Sequence, residues 1–150
     1  MLRMEARDII KKLRLKPLEP EGGYFREIFR SKIKIDARQI RPEYDGMRAL
    51  FTVIYYLITE DTSSAPHRLL SDEIWFFHTG DPVELLIASP QNETRRIILG
   101  EDILDGQKFQ AHIPAGWTQS ARLFAVKRGF ALVSTVVMPG FEEKDFSLVK

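Results

Sequence analysis

Between Glu5 and Leu15 the apolar residues Ala6, Ile9, Ile10 and Leu13 recur at helical spacing. Lys11, Lys12, Arg14 and Lys16 gather at the end where cations suit a helix dipole, and Pro17 and Pro20 stop the pattern. The stretch predicts a short N-terminal helix over about 5–15 that docks its apolar stripe on the domain. A basic helix lying on a membrane surface is the less economical reading. After Pro20 the period changes to two. Tyr24 to Arg30, Ala49 to Ile58, Glu73 to His78, Val83 to Ala88, Thr94 to Leu99, Phe109 to Ile113, Leu123 to Val126 and Phe130 to Val137 read as strands. Turn signals such as Asp45-Gly46, Gly80-Asp81-Pro82, Asp105-Gly106 and Lys127-Arg128-Gly129 separate them. Many short strands with almost no helix between them predict an all-β sandwich or barrel.

Several of these strands are apolar on both faces. In Ala49 to Ile58, Phe51, Val53, Tyr55 and Leu57 oppose Leu50, Ile54, Tyr56 and Ile58. In Glu73 to His78, Trp75 and Phe77 oppose Ile74 and Phe76; in Phe130 to Val137, Leu132 and Val136 oppose Ala131 and Val133. A sheet with one wet face should alternate cleanly instead. One short helix cannot cover three such strands. The outer face of one sheet is therefore expected to lie against a second copy of the chain, most simply in a two-fold homodimer.

Composition narrows the partners. With 22 Lys+Arg against 21 Asp+Glu the formal charge is +1, so no broad basic field marks a nucleic-acid partner. The absence of cysteine removes disulfides, thiolate metal sites and a cysteine nucleophile. Ten phenylalanines fit an aromatic β interior. The longest apolar stretch, Ala49 to Ile58, is too short to span a bilayer, and the charges at Arg3, Glu5, Arg7 and Asp8 break any leader pattern. The expectation is one soluble, cytoplasmic domain with no membrane partner, its barrel spanning about 22–147.

Three histidines, His67, His78 and His112, are the neutral-range acid–base candidates. There is no G-x-S-x-G, P-loop or H-E-x-x-H pattern. Gly22-Gly23 precedes a strand, so it reads as a tight entry into that strand and not as a phosphate cradle. His67 follows the turn-rich Thr62-Ser63-Ser64-Ala65-Pro66, Glu73 opens the next strand, and six residues separate Glu73 from Gly80. A second turn follows at Pro114-Ala115-Gly116, with Gln119 three positions beyond the glycine.

These spacings resemble the two motifs of the cupin superfamily: His-x-His, three or four residues, Glu, six residues, Gly; and Pro-x-Gly, two residues, His. His67, Glu73 and Gly80 match the first motif, while Leu69 stands at its second histidine and Gln119 at the histidine of the second motif. The runs Glu21 to Glu27, His67-Arg68, Ser71 to Trp75, Gly80-Asp81-Pro82 and Pro114 to Gly116 are similar to a branch of small cupins of unassigned function. The chain departs from that branch at Phe76, where the pattern carries histidine. The resemblance implies a double-stranded β-helix, the cupin jelly-roll barrel, similar in fold to sugar-nucleotide epimerases.

A full cupin metal site has three histidines and one glutamate. His67, Glu73 and Gln119 supply one imidazole, one carboxylate and one amide, so no metal is required and a divalent ion would be held weakly. The same trio is expected to orient a small-molecule ligand, with His67 as candidate acid or base and Glu73 beside it. If Glu73 points inward, Trp75 and Phe77 line the barrel with it and His78 points out. Phe51, Glu27 and His112 complete the candidate lining; Glu27 alternatively pairs with a cation, and Glu73 with Arg68 or Arg122. The ligand expected is a sugar, nucleotide sugar or small carboxylate. The competing readings are a metal-dependent isomerase or dioxygenase and a dimeric binding module without chemistry.

Overall fold

The computed structural model describes residues 3–150. Along the chain it has helix α1 (Ala6–Leu13) and strands β1 (Lys16–Pro17), β2 (Tyr24–Arg30), β3 (Lys34–Asp36), β4 (Met47–Ala49), β5 (Thr52–Thr59), β6 (Ser64–Arg68) and β7 (Asp72–Gly80). There follow β8 (Val83–Ala88), β9 (Thr94–Leu99), β10 (Gln110–Ile113), β11 (Thr118–Leu123), β12 (Phe130–Met138) and β13 (Ser147–Leu148). A six-stranded antiparallel sheet runs β1-β2-β5-β12-β7-β10, and a five-stranded sheet runs β13-β6-β11-β8-β9. Successive strands from β5 to β8 alternate between the sheets, as a jelly roll requires. Tyr56, Ile58, Trp75, Phe77 and Val133 of the first sheet meet Val83, Leu85, Ile87 and Leu99 of the second in the shared core.

Helix α1 stops at Arg14, whose backbone is left-handed (φ 56°), and the next amide, Leu15 N, donates to Ile10 O at 2.9 Å. Ile9 and Leu15 pack on Leu57 and Phe130, so the helix covers one end of the outer face of the six-stranded sheet. The remainder stays open. Phe29 is 52 % and Met138 49 % exposed there, and Val53, Ile74, Phe76 and Val136 are half-buried. His78 belongs to this outer face, where its Nε2 lies 2.5 Å from Ser134 Oγ.

Three expected elements differ. The predicted strand Ala49 to Ile58 is two: the chain turns at Leu50 and Phe51, where Leu50 N bonds Ile33 O and Phe51 O accepts from Ser31 N. The predicted strand Leu123 to Val126 ends at Leu123, because Ala125 is left-handed (φ 54°) and Phe124 N bonds Pro82 O. The true strand there, β11, precedes it. In β2 a bulge at Ile28 separates Glu27, opposite Ile54, from Phe29, opposite Val53. Glu27 and Phe29 therefore face opposite sides of the sheet, although simple alternation puts them together.

Candidate functional site

His67 on β6 and Gln119 on β11 are cross-strand partners in the five-stranded sheet. From the facing sheet, Glu73 and Trp75 of β7 and Thr135 of β12 point inward, with Thr135 paired to Trp75 across the ladder. His67, Gln119 and Trp75 are each 1 % exposed and Glu73 7 %. The Trp75 indole N–H donates to Glu73 Oε1 at 3.2 Å and to Gln119 Oε1 at 3.1 Å, joining the two sheets. His67 Nδ1 lies 2.7 Å from Ala65 O and donates to it. That fixes the neutral tautomer, with the lone pair on Nε2. Nε2 faces Glu21 Oε1 at 3.5 Å.

Glu21 is the member that the sequence motifs missed. It sits in the turn between β1 and β2, and its Oε2 accepts from Ser64 Oγ at 2.9 Å. The two glycines after it explain how an acid enters the barrel. Gly22 has φ 109° and a Cβ there would fall 2.1 Å from Ser63 O; Gly23 has φ 76° and its Cβ would fall 2.7 Å from the Tyr56 hydroxyl. Only glycine lets this turn lie so close to its neighbours. Tyr56 OH then donates to Gly22 O at 2.6 Å, pinning the turn. The signal available in the sequence was an acid directly before Gly-Gly.

Burial pushes the Glu21 carboxyl up to about 7, only partly offset by the hydrogen bond from Ser64 and the nearby Tyr56 hydroxyl. Glu73 is likewise raised to about 7, first by burial and then by the charge of Glu21, against smaller opposing effects of His67, Thr135 and Gln119. Burial also lowers His67 below the usual histidine value and lifts Tyr56 well above the usual phenol value. Among the described residues no lysine or arginine forms an ion pair with either carboxyl; the one ion-pair contact is that of Glu21 with His67. Arg68 donates instead to Thr118, and Arg122 pairs with Glu84 on the outside, so neither expected partner reaches Glu73. Thr135 Oγ1 is buried without a hydrogen-bond partner, although it lies close enough to act on Glu73.

The trio fits a metal poorly. The Trp75 N–H, a donor, points at both Glu73 Oε1 and Gln119 Oε1, the two oxygens that a cation would need. His67 Nε2 is directed at Glu21. Among the described residues no group of three or more His, Asp or Glu is arranged to hold an ion.

The remaining candidates fall into two sets. Phe77 lies in the interior core with Trp75. His112 does not reach the interior: it stands opposite Ile74 on the outer face, exposed, and its Nε2 lies 2.8 Å from Asp72 Oδ2. Glu27 is held by Arg30 at 2.7 Å near the sheet margin. Phe51 packs on Phe29 with ring centroids 5.5 Å apart, outside the barrel. These three are corrected from lining to periphery.

The cluster is closed over. Phe146 stacks on the His67 ring at 5.1 Å, and β13 runs beside β6 with Leu148 opposite His67. The C-terminal strap that carries them is fastened by Asp145, which accepts from both terminal nitrogens of buried Arg48 at 2.5 and 2.8 Å. Hollows of about 260 and 430 Å³ lie elsewhere, against Thr59–Ser63 and against the start of α1.

The sequence model of a family described as Cupin superfamily (DUF985) matches residues 7–149. An uncharacterized protein of Saccharomyces cerevisiae is 29 % identical over 141 residues, covering 87 % of this chain and 68 % of that protein. A hypothetical protein from Leishmania major superposes with a TM-score of 0.87 at 35 % identity, over 98 % of this chain and 88 % of the other. A Shewanella oneidensis protein gives 0.86 at 33 % identity, over 99 % and 86 %. Oxalate decarboxylase from Bacillus subtilis gives 0.60 at 14 % identity, over 90 % of this chain and 30 % of the enzyme, a likeness of fold alone.

Proposed function

Because this chain belongs to the cupin superfamily, in the family described as DUF985, we propose that its barrel interior is the binding site of a small polar molecule. The observation that carries this reading is the pair of carboxyls, Glu21 and Glu73, enclosed without a cation beside an unsatisfied Thr135 hydroxyl. Buried acids without a counter-ion are costly, and an apolar residue would fill the same space at no such cost. A bound molecule that meets these groups accounts for them.

The acid–base chemistry belongs to His67 and Glu21. His67 Nε2 presents a lone pair, and the Glu21 carboxyl, raised towards neutrality, holds a proton 3.5 Å away. The two can exchange a proton with a ligand placed between them. Glu73 and Gln119 orient that ligand, each already bound to the Trp75 indole. Among the expected ligand classes a sugar suits the cluster better than a nucleotide sugar or small carboxylate, since no lysine or arginine is there to meet an anion. The exposed outer face around Phe29, Phe76 and Met138 supports a two-fold homodimer.

The enclosure of His67 under Phe146 favours a second reading, a dimeric module whose interior does no chemistry. Thermal-shift screening of sugars, polyols, amines and carboxylates separates the two. A ligand-site interior yields a stabilising compound whose effect disappears in Gln119→Leu and Glu73→Gln. Compounds that stabilise these variants and the wild type equally, or none that stabilises at all, would reject the binding reading.

A further inference from the structure

We propose that the ligand of this cluster is a small hydroxylated organic cation, an amino alcohol or amino sugar, whose protonated nitrogen lies between Glu21 and Glu73. The inference rests on reading the interior as a ligand site and adds the sign of the ligand's charge. Two acids share one enclosure: Glu21 reaches His67 Nε2 and Ser64 Oγ, while Glu73 reaches the Trp75 indole. Every other hydrogen-bonding partner of the two carboxyls is neutral, and the basic side chains nearest in sequence are committed elsewhere, Arg68 to Thr118, Arg26 to Leu13 O and Lys16 over the Phe25 ring. A positive charge beside them is therefore what would let both carboxyls ionise in place.

A second observation, of geometry and not of charge, points to a ligand. Thr135 Oγ1 is 2 % exposed, faces the cluster from β12 and has no hydrogen-bond partner, which leaves a hydroxyl available to a ligand hydroxyl. The walls suit a cation as well. Tyr56 and Trp75 meet edge to face, 5.7 Å between centroids, and rings of this kind attract ammonium groups where water is excluded. A diphosphate or carboxylate would instead bring like charge against two acids.

The test uses three probes of nearly equal size and different charge: ethanolamine, ethylene glycol and glycolate. The protein has two tryptophans, so two indole N–H signals appear in a ¹H–¹⁵N spectrum. Trp117, half-buried against the core beneath Arg95 and not hydrogen-bonded to the cluster, is the reference signal, and Trp117→Phe assigns the pair. The expected result is a saturable shift of the Trp75 signal with ethanolamine, at least about tenfold tighter than with ethylene glycol, and no shift with glycolate. Glu21→Gln and Glu73→Gln should each reduce the ethanolamine preference over glycol. Equal binding of glycol and ethanolamine, or any preference for glycolate, overturns the charge assignment and leaves the small-molecule site standing. Silence of the Trp75 signal towards all three also overturns the charge assignment, and the binding reading then falls only if the broader thermal-shift screen is empty too.

Discussion

Replacing Glu73 by glutamine is expected to stabilise the protein, and to do so more at pH 8 than at pH 5. The Glu73 carboxyl is held at about 7 against an ordinary 4.5. Between those values the folded protein keeps a proton that the unfolded chain has released. Stability contributed by this group is therefore full below about pH 4.5 and is lost as the pH rises through 7. The complete loss is on the order of 3 kcal/mol, and most of it falls between pH 5 and pH 8. Glutamine keeps the Oε1 acceptor for the Trp75 indole but has nothing to titrate. His67 works in the opposite direction, since its lowered value makes the folded state shed a proton earlier, but it is common to both proteins. Urea unfolding of wild type and Glu73→Gln at both pH values gives the quantity needed, the difference between the two proteins. A difference that stays constant from pH 5 to pH 8 would refute the claim that an unpaired carboxyl is buried here.

Arg48→Met should destabilise by about 3–5 kcal/mol, because it leaves Asp145 without its buried partner. Hydrogen exchange should locate the loss in the strap around Phe146 and β13; uniform acceleration across the barrel would count against a local latch. Gly23→Ala should cost about 1–3 kcal/mol or more by placing a methyl at φ 76° and 2.7 Å from the Tyr56 hydroxyl, measured by chemical unfolding; a change below about 0.5 kcal/mol would show that the turn relaxes freely. Phe76→Asp, on the open outer face, should convert a dimer to monomers in sedimentation velocity. A wild-type monomer at micromolar concentration would remove the dimer altogether.

The jelly roll was legible because its buried strands announce themselves. The segments that became β5, β7, β8 and β12 carry apolar residues at period two, and the parity along Glu73, Trp75 and Phe77 correctly separated inside from outside. Placing His78 outward followed from the same alternation. Bulges defeat that reasoning. One extra residue at Ile28 turned Phe29 to the outer face, and nothing in the run Tyr24 to Arg30 marks where the ladder slips.

The strands that build the site were hidden for a different reason. β6 and β11 contain Ser64-Ala65-Pro66-His67-Arg68 and Thr118-Gln119-Ser120-Ala121-Arg122, which read as turn-rich and polar. Apart from Ala121 and Leu123 at the far end of β11, their inward residues are polar because the cluster is polar, so the hydrophobic alternation that reveals a strand is erased where the barrel holds its hydrogen-bonding groups. Pro66 is tolerated because its carbonyl still accepts from Val149 N on the neighbouring strap. Motif spacing recovered His67, Glu73 and Gln119 without the strands, since it depends on turns at Gly80 and Gly116 and not on periodicity. It could not recover Glu21, which enters from a loop far away in sequence. The acid belongs to the site only because two glycines allow a turn that no side chain could occupy. A polar core assembled from such pieces costs stability at every member, and the carboxyl pair shows where that cost is concentrated.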